Sequence, residues 1–189
     1  MLWKQAKVLS EEQLHRLLTY AISSRHPVRN KAIVLLSFKA GLRAGEISQL
    51  KWEMVTDPSG TISSTIELRS HIAKNASGRR IPVHPDLRRC LVELGRECAD
   101  GEFVSERSGP MLPVSIVHWF ARAYRAIGVV GCSSHSGRRT FITRAAKTVH
   151  KAGGSLRDVH LLAGHRSIQT TQRYIDGDTE AQHRLVALL

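Results

Sequence analysis

Two hydrophobic periods share this chain, and the place where one gives way to the other limits the folds open to it. Over most of the sequence apolar residues recur at helical spacing. Ser10 precedes Glu11, Glu12 and Gln13, an N-cap with a capping-box partner, and Leu14, Leu17 and Leu18 follow on one face. Pro27 suits the first position of a second helix, which runs to Ala40 and stops at Gly41. Residues 42–50 read as a short third helix with Arg43 and Glu46 one turn apart. The period then changes. Residues 61–68, Thr-Ile-Ser-Ser-Thr-Ile-Glu-Leu, are β-branched and partly alternating; Asn75 to Gly78 is a turn signal; Arg79 to Val83 reads as a second strand, with Pro82 favouring an edge. Trp52 to Val55 reads as a short third strand. Helical spacing returns over 85–97, 114–127, 136–149, 156–163, 168–175 and 179–188, with 102–106 extended. The expected fold is mainly α with a small antiparallel β-sheet, an α+β domain whose sheet is inserted after the third helix.

No repeat, low-complexity tract or linker divides the 189 residues, so a single domain over 1–189 is expected. Lys and Arg number 28 against 16 Asp and Glu, a formal charge of +12 that calls for a polyanionic partner. Nucleic acid is the first such partner and an anionic membrane surface the second. No apolar run approaches the ~20 residues of a spanning helix and no lipidation motif is present, which sets the membrane aside. Cys90, Cys98 and Cys132 are widely spaced and odd in number, as reduced cytoplasmic thiols are. There is no CxxC for zinc, no carboxylate cluster suited to Mg²⁺ and no P-loop, so no metal and no cofactor is expected. The first residues lack the apolar stretch of a signal peptide, in keeping with a cytoplasmic location.

Several polar residues invite a chemical reading. Arg43 and Glu46 make an i,i+3 pair; on a surface this is worth a few tenths of a kcal/mol at most, but behind an anion site the glutamate would hold a guanidinium that forks onto two phosphate oxygens. His135 and Arg138, also i,i+3, open a helix whose N-terminal N–H groups favour an anion, with Ser133 or Ser134 as its cap. Lys74 lies in the turn between the predicted strands, flanked by Arg69, Arg79 and Arg80, so that hairpin is basic. Tyr174 ends a short segment after Ser167 that is unusually polar for a core helix, since Gln169, Thr170, Thr171, Gln172 and Arg173 precede it. Taken singly, each group has an ordinary structural explanation.

Together they resemble one known arrangement. Gly41-Leu42-Arg43-Ala44-Gly45-Glu46, Lys74, His135-Ser136-Gly137-Arg138, and Gly164-His165 followed nine residues later by Tyr174 stand in the order and spacing of the active site of the tyrosine recombinases, the phage-integrase family. The resemblance spans nearly the whole chain and implies the catalytic-domain fold of that family. It also implies a site-specific DNA recombinase that cuts and rejoins strands through a 3′-phosphotyrosyl intermediate, without metal or ATP. Tyr174 is then the nucleophile, a phenol with a pKa of roughly 10 that must lose its proton as it attacks. Arg43, Arg138 and His165 stabilise the charge on the non-bridging oxygens. Lys74 protonates the leaving 5′ oxygen, and His135 is either the proton acceptor or a further phosphate ligand. On this reading five cations surround one phosphate. Arg69, Arg79, Arg80, Arg139 and Arg173 are expected to touch double-stranded DNA.

The pattern departs from the family's in places. Ala163 stands where a larger apolar residue is usual, Gly137 where leucine is, and Arg139 where histidine is frequent. The N-terminal DNA-clamping domain of most members has no counterpart in this sequence, where Met1 lies about ten residues before the first helix; the chain is expected to be either a small single-domain member or a fragment. Thr179 and Gln182 form a capping-box pattern, and Ala181, Leu185, Val186 and Leu189 an apolar stripe. In the family such a C-terminal helix docks on a neighbouring protomer, so 179–188 is expected to join four subunits in a synapse. Two other functions share part of this signature: a type IB topoisomerase-like enzyme that relaxes DNA, and a DNA-binding regulator that has lost catalysis.

Overall fold

The structure, a computed structural model, describes residues 6–72, 78–97, 103, 105–106, 109–174 and 186–187. Helix α1 (Glu11–Ile22) begins at the expected capping box: Ser10 Oγ accepts from the Gln13 N–H at 3.1 Å and Gln13 Oε1 accepts from the Ser10 N–H at 3.0 Å. Helix α2 (Pro27–Lys39) follows, with proline in its first turn, and is buried along most of its length. It is the central element, packed by α1, by α4 (Pro85–Glu97) and by α6 (Ser136–Thr148). Helix α3 (Ala44–Ser48) lies against α5 (Pro113–Ala126).

Strands β1 (Thr65–Leu68) and β2 (Arg79–Pro82) pair antiparallel, with Ile66 opposite Ile81. Both isoleucines are buried, so the hairpin turns one face into the core. Trp52–Met54 is a turn of 3-10 helix, not a third strand. The N–H groups of Val55 and Thr56 both bond to the Trp52 carbonyl at 2.9 Å, which removes them from any ladder, and the Trp52 ring packs on Phe103 at 4.7 Å. A second antiparallel pair is instead formed by β3 (Ser105–Glu106) and β4 (Gly109–Pro110). The chain continues through α7 (Leu156–Ala163) and α8 (Ile168–Gln172). Lys74 lies outside the described residues, and so does the predicted helix 179–188 apart from 186–187. No described helix is long and apolar enough to cross a membrane.

The interior divides in two. A large core takes in residues from α1 through α5 and the β1–β2 hairpin, among them Leu17, Ile33, Leu36, Ile47, Ile66 and Phe120. A small one, Ile142, Ala146, Val159 and Ala163, joins α6 to α7, with Phe141 and Tyr174 partly buried against it. Helix α6 belongs to both: Ile142 and Ala146 face α7, while Gly137 meets α2. A Cβ on Gly137 would lie 2.2 Å from Ser37 Oγ and 2.8 Å from the Phe38 ring. The two helices approach so closely that no side chain fits, and this accounts for glycine where the family pattern has leucine.

Candidate active site

Arg43 is the N-cap of α3, with extended backbone (φ −80°, ψ 157°). Glu46, a turn further on, reaches back to it: Arg43 donates from its N–H to Oε2 at 2.9 Å and from Nη1 to Oε1 at 2.8 Å. Glu46 is 1% exposed, so this is no solvated surface pair. Arg79 approaches the same carboxylate with its whole fork, donating from Nη1 to Oε1 at 3.1 Å and from Nη2 to Oε2 at 3.0 Å. Its Nε donates to the Leu162 carbonyl at 3.0 Å. Burial alone would raise the Glu46 pKa; bonds and charges from Arg79 and Arg43 outweigh it and hold the carboxyl below its usual range.

Arg79 was expected to face DNA, and the structure corrects this. Its side chain is 5% exposed and engaged by Glu46 and Leu162, so the guanidinium is turned inward. It fastens β2 to α3 and to the end of α7. Gly164 makes room for it, since a Cβ there would lie 2.9 Å from Arg79 Cδ; the same glycine adopts φ +58° to close α7.

Arg138, in the first turn of α6, is buried. Nη1 donates to the Gly41 carbonyl at 2.6 Å and Nη2 to the Ala163 carbonyl. Its direct partners are thus backbone dipoles, one on the α2–α3 connection and one at the end of α7. Burial, then the charges of Arg43 and Arg79, lower Arg138 to about 9, with Glu46 and Tyr174 acting the other way. The guanidinium is still cationic at neutral pH, and an anion beside it would offset the repulsion from Arg43 and Arg79.

His165 follows the left-handed Gly164. Its Nδ1 lies 2.9 Å from Thr171 Oγ1, and its ring lies nearly parallel to that of Tyr174, 20° between planes and 5.6 Å between centroids. Burial, then the charges of Arg138 and Arg43, depress its pKa to about 4. It is therefore neutral near pH 7. The expectation of five cations changes accordingly: a neutral imidazole can offer this cleft a hydrogen bond but not a charge.

Tyr174 follows α8 by two residues and is partly exposed, and its N–H donates to the Thr171 carbonyl at 3.1 Å. The Arg139 guanidinium lies over its ring, 5.4 Å from the centroid. His135 is the N-cap of α6 and is exposed; Ser133 Oγ accepts from its N–H at 3.3 Å.

An open cleft of about 520 Å³ brings these groups together: Arg43, His135, Arg138, His165 and Tyr174 line it, with Arg139 and Arg173 at hand. Glu46 stands behind Arg43, outside the lining. Arg69 and Arg80 are on the exposed side of the hairpin, where each is paired with a carboxylate, Arg69 with Glu53 and Arg80 with Glu67, both at 2.9 Å. Among the described residues no group of three His, Cys, Asp or Glu side chains is placed to hold a metal ion. A cleft lined by fixed guanidiniums, a neutral imidazole and a phenol suits attack on a phosphodiester. Sequence reasoning missed the second arginine on Glu46 and the contact of Thr171 with His165. The first was signalled by strand alternation, the second only by the polarity of α8.

Comparison with known proteins finds relatives of this chain. A family model described as the phage integrase family matches residues 7–181. A tyrosine recombinase XerC of Brucella suis is 28% identical over 159 residues, covering 80% of this chain and 47% of that protein. A tyrosine recombinase XerD of Ralstonia nicotianae is 31% identical over 179 residues, covering 89% of this chain and 55% of that protein. The chain thus spans about half the length of the curated relatives it matches. Among solved structures, the XerA recombinase superposes with a TM-score of 0.73 at 22% identity, over 96% of this chain and 64% of that one. The XerH site-specific recombinase bound to difH gives 0.74 at 18% identity, over 99% and 55%.

Proposed function

This chain belongs to the phage integrase family and has the fold of a tyrosine recombinase catalytic domain, and on that premise we propose that it cuts and rejoins DNA strands at specific sites through a phosphotyrosine. The observation that carries the proposal is the cleft itself, where Tyr174 and His165 stack beside Arg138 and Arg43 while the carboxylate of the group, Glu46, is held behind them.

A scissile phosphate enters the cleft with its non-bridging oxygens toward Arg43, Arg138 and His165. Tyr174 Oη attacks phosphorus; its proton leaves as the phosphorus–oxygen bond forms, and His135 is the nearby group able to take it. The five-coordinate state carries more charge on the non-bridging oxygens than the ground state, and donors already fixed by Glu46, Gly41, Ala163 and Thr171 meet that charge without reorganising. The bond to the 5′ oxygen breaks as Lys74 delivers a proton to it. The new phosphotyrosine retains the energy of the broken diester, so the reverse attack by a 5′ hydroxyl needs no nucleotide. Arg69, Arg80, Arg139 and Arg173 contribute phosphate contacts along the duplex. Subunits pair through 179–188 in the synapse, and the protein works in the cytoplasm, where its substrate lies.

The test is covalent capture. Nicked duplexes with a randomised core are incubated with the protein in EDTA, and DNA that survives boiling detergent on the protein is sequenced. The expected result is a selected site attached to Tyr174, and none with Tyr174→Phe, which should still bind that site. Adducts on the phenylalanine variant, or a strict Mg²⁺ requirement, would refute the proposal.

A further inference from the structure

We propose that Thr171 is a positioning residue which fixes the tautomer of His165, so that this neutral imidazole presents an N–H and not a lone pair to the phosphate. The inference rests on the function proposed above.

Thr171 is fully buried on α8. Its hydroxyl lies between two imidazoles, 2.9 Å from His165 Nδ1 and 3.4 Å from His160 Nδ1. A hydroxyl has one proton and two lone pairs, so it can donate to only one of the two rings. Either ring can receive it; on this proposal the proton goes to His165, the nearer ring, and His160 Nδ1–H donates to the same oxygen. His165 Nδ1 then accepts. A neutral imidazole has a single N–H, and with Nδ1 as acceptor that hydrogen must be on Nε2, the ring's remaining polar atom. His165 is held neutral by burial and by Arg138 and Arg43, so the choice of tautomer decides what it offers. With the hydroxyl reversed, donating to His160, His165 would carry its hydrogen on Nδ1 and turn a lone pair toward an anion. One hydroxyl orientation thus separates an attractive contact from a repulsive one.

The same residue reaches the nucleophile by another route. The Thr171 carbonyl accepts the Tyr174 N–H at 3.1 Å, while the His165 ring lies against the tyrosine ring. Backbone and side chain of one buried threonine therefore set both groups. Valine at this position keeps the shape and the carbonyl and removes only the hydroxyl, which makes the hydroxyl's part separable.

The experiment combines imidazole ¹⁵N spectroscopy of the whole chain at about pH 8, where neutral tautomers are resolved, with the rate of adduct formation on the duplex captured above. In the unaltered protein His165 should appear as the Nε2–H form, with hydrogen on Nδ1 of His160. In Thr171→Val the His165 nitrogens should move toward an averaged pair, and cleavage should slow by about tenfold, the low end of what an imidazole-orienting partner is worth, with DNA affinity unchanged. Thr171→Ser should restore both. The idea fails if His165 is found as Nδ1–H, if valine leaves its nitrogen signals where they were, or if serine is as impaired as valine. The spectra decide the matter without turnover. If the unaltered protein captures no DNA at all, the recombinase reading falls while the tautomer assignment is still judged by itself.

Discussion

Replacing Glu46 with glutamine should separate the two tasks of the arginines around it. The amide keeps the length of the side chain but loses its charge, and it turns an NH₂ toward guanidinium N–H groups that now meet an oxygen at 2.8–3.1 Å. Arg79, at 5% exposure, has no route to solvent, whereas the Arg43 side chain is 23% exposed and can turn outward. Stranding one member of a buried pair costs about 3–5 kcal/mol, and the relief open to Arg43 places this case near 3. For a chain of this size each kcal/mol moves Tm by about 2–4 °C, so Glu46→Gln should melt roughly 6–12 °C below the parent at pH 7. Arg43→Ala leaves the Glu46–Arg79 pair intact and should cost about 1 kcal/mol, while adduct formation is lost. The pH dependence has a definite sign. A carboxyl whose folded pKa is depressed stabilises fully above its unfolded value, and the stabilisation is lost as pH falls through the folded one. The gap between parent and Glu46→Gln should therefore be widest near neutrality and close in acid, below the usual carboxylate range. Thermal melts of the three proteins between about pH 3 and 7 supply the comparison. If Glu46→Gln melts with the parent at pH 7, or the gap widens in acid, the carboxylate charge is not what holds these arginines.

Lys74→Ala should slow cleavage by roughly 10²–10⁴, and a substrate with sulfur at the bridging 5′ position should recover much of the loss, because a thiolate leaves without a proton. The same substrate should not rescue Arg138→Ala; equal rescue of both, or of neither, would remove Lys74 from its role. Gly137→Ala places a Cβ 2.2 Å from Ser37 Oγ and should destabilise the chain by about 1–3 kcal/mol, measured by denaturant melts. Adding Ser37→Ala should return part of that loss, and an unshifted midpoint for Gly137→Ala would show that the helices separate at little cost.

Much of this could be read from the chain because its signals are local. Capping at Ser10, the Pro27 start and apolar spacing along α4 to α7 follow from backbone geometry within a few residues, and the structure's helices follow the predicted ones closely. Trp52–Val55 was misread because four residues carry no period; the chain there closes local bonds to the Trp52 carbonyl, and the Trp52 ring packs on Phe103, a distant partner. Arg79 is a different case. Ile81 was already marked as strand, and in β2 residues two apart share a face, so placing Ile81 in the core also turns Arg79 inward. That inference was open and the charge of the hairpin obscured it. Gly137 could not be read at all, since its reason lies in α2, a hundred residues earlier in the chain.

The division of the interior into two packing units bears on how long the site stays assembled. Arg43 stands on the large unit, whereas His165 and Tyr174 belong with the small one, whose buried apolar side chains are Ile142, Val159 and two alanines. Each of the larger pair contributes only about 1.5–3 kcal/mol of burial. Beyond α6, which packs on α2 and is shared by both units, the small unit is fastened to the large one by hydrogen bonds at its margin, from Arg138 to Gly41 and Ala163 and from Arg79 to Leu162. Such a unit opens on its own more readily than the whole chain unfolds. Amides of α7 and α8 should then exchange with solvent well before those of α2. A phosphate bound as proposed, between Arg43 on one side and His165 on the other, would be a clasp across that boundary, and binding it should slow exchange in α7 and α8 most. On the proposed function, DNA would complete the tertiary structure of the half that cuts it, and the tyrosine would be held firmly only while there is something to attack.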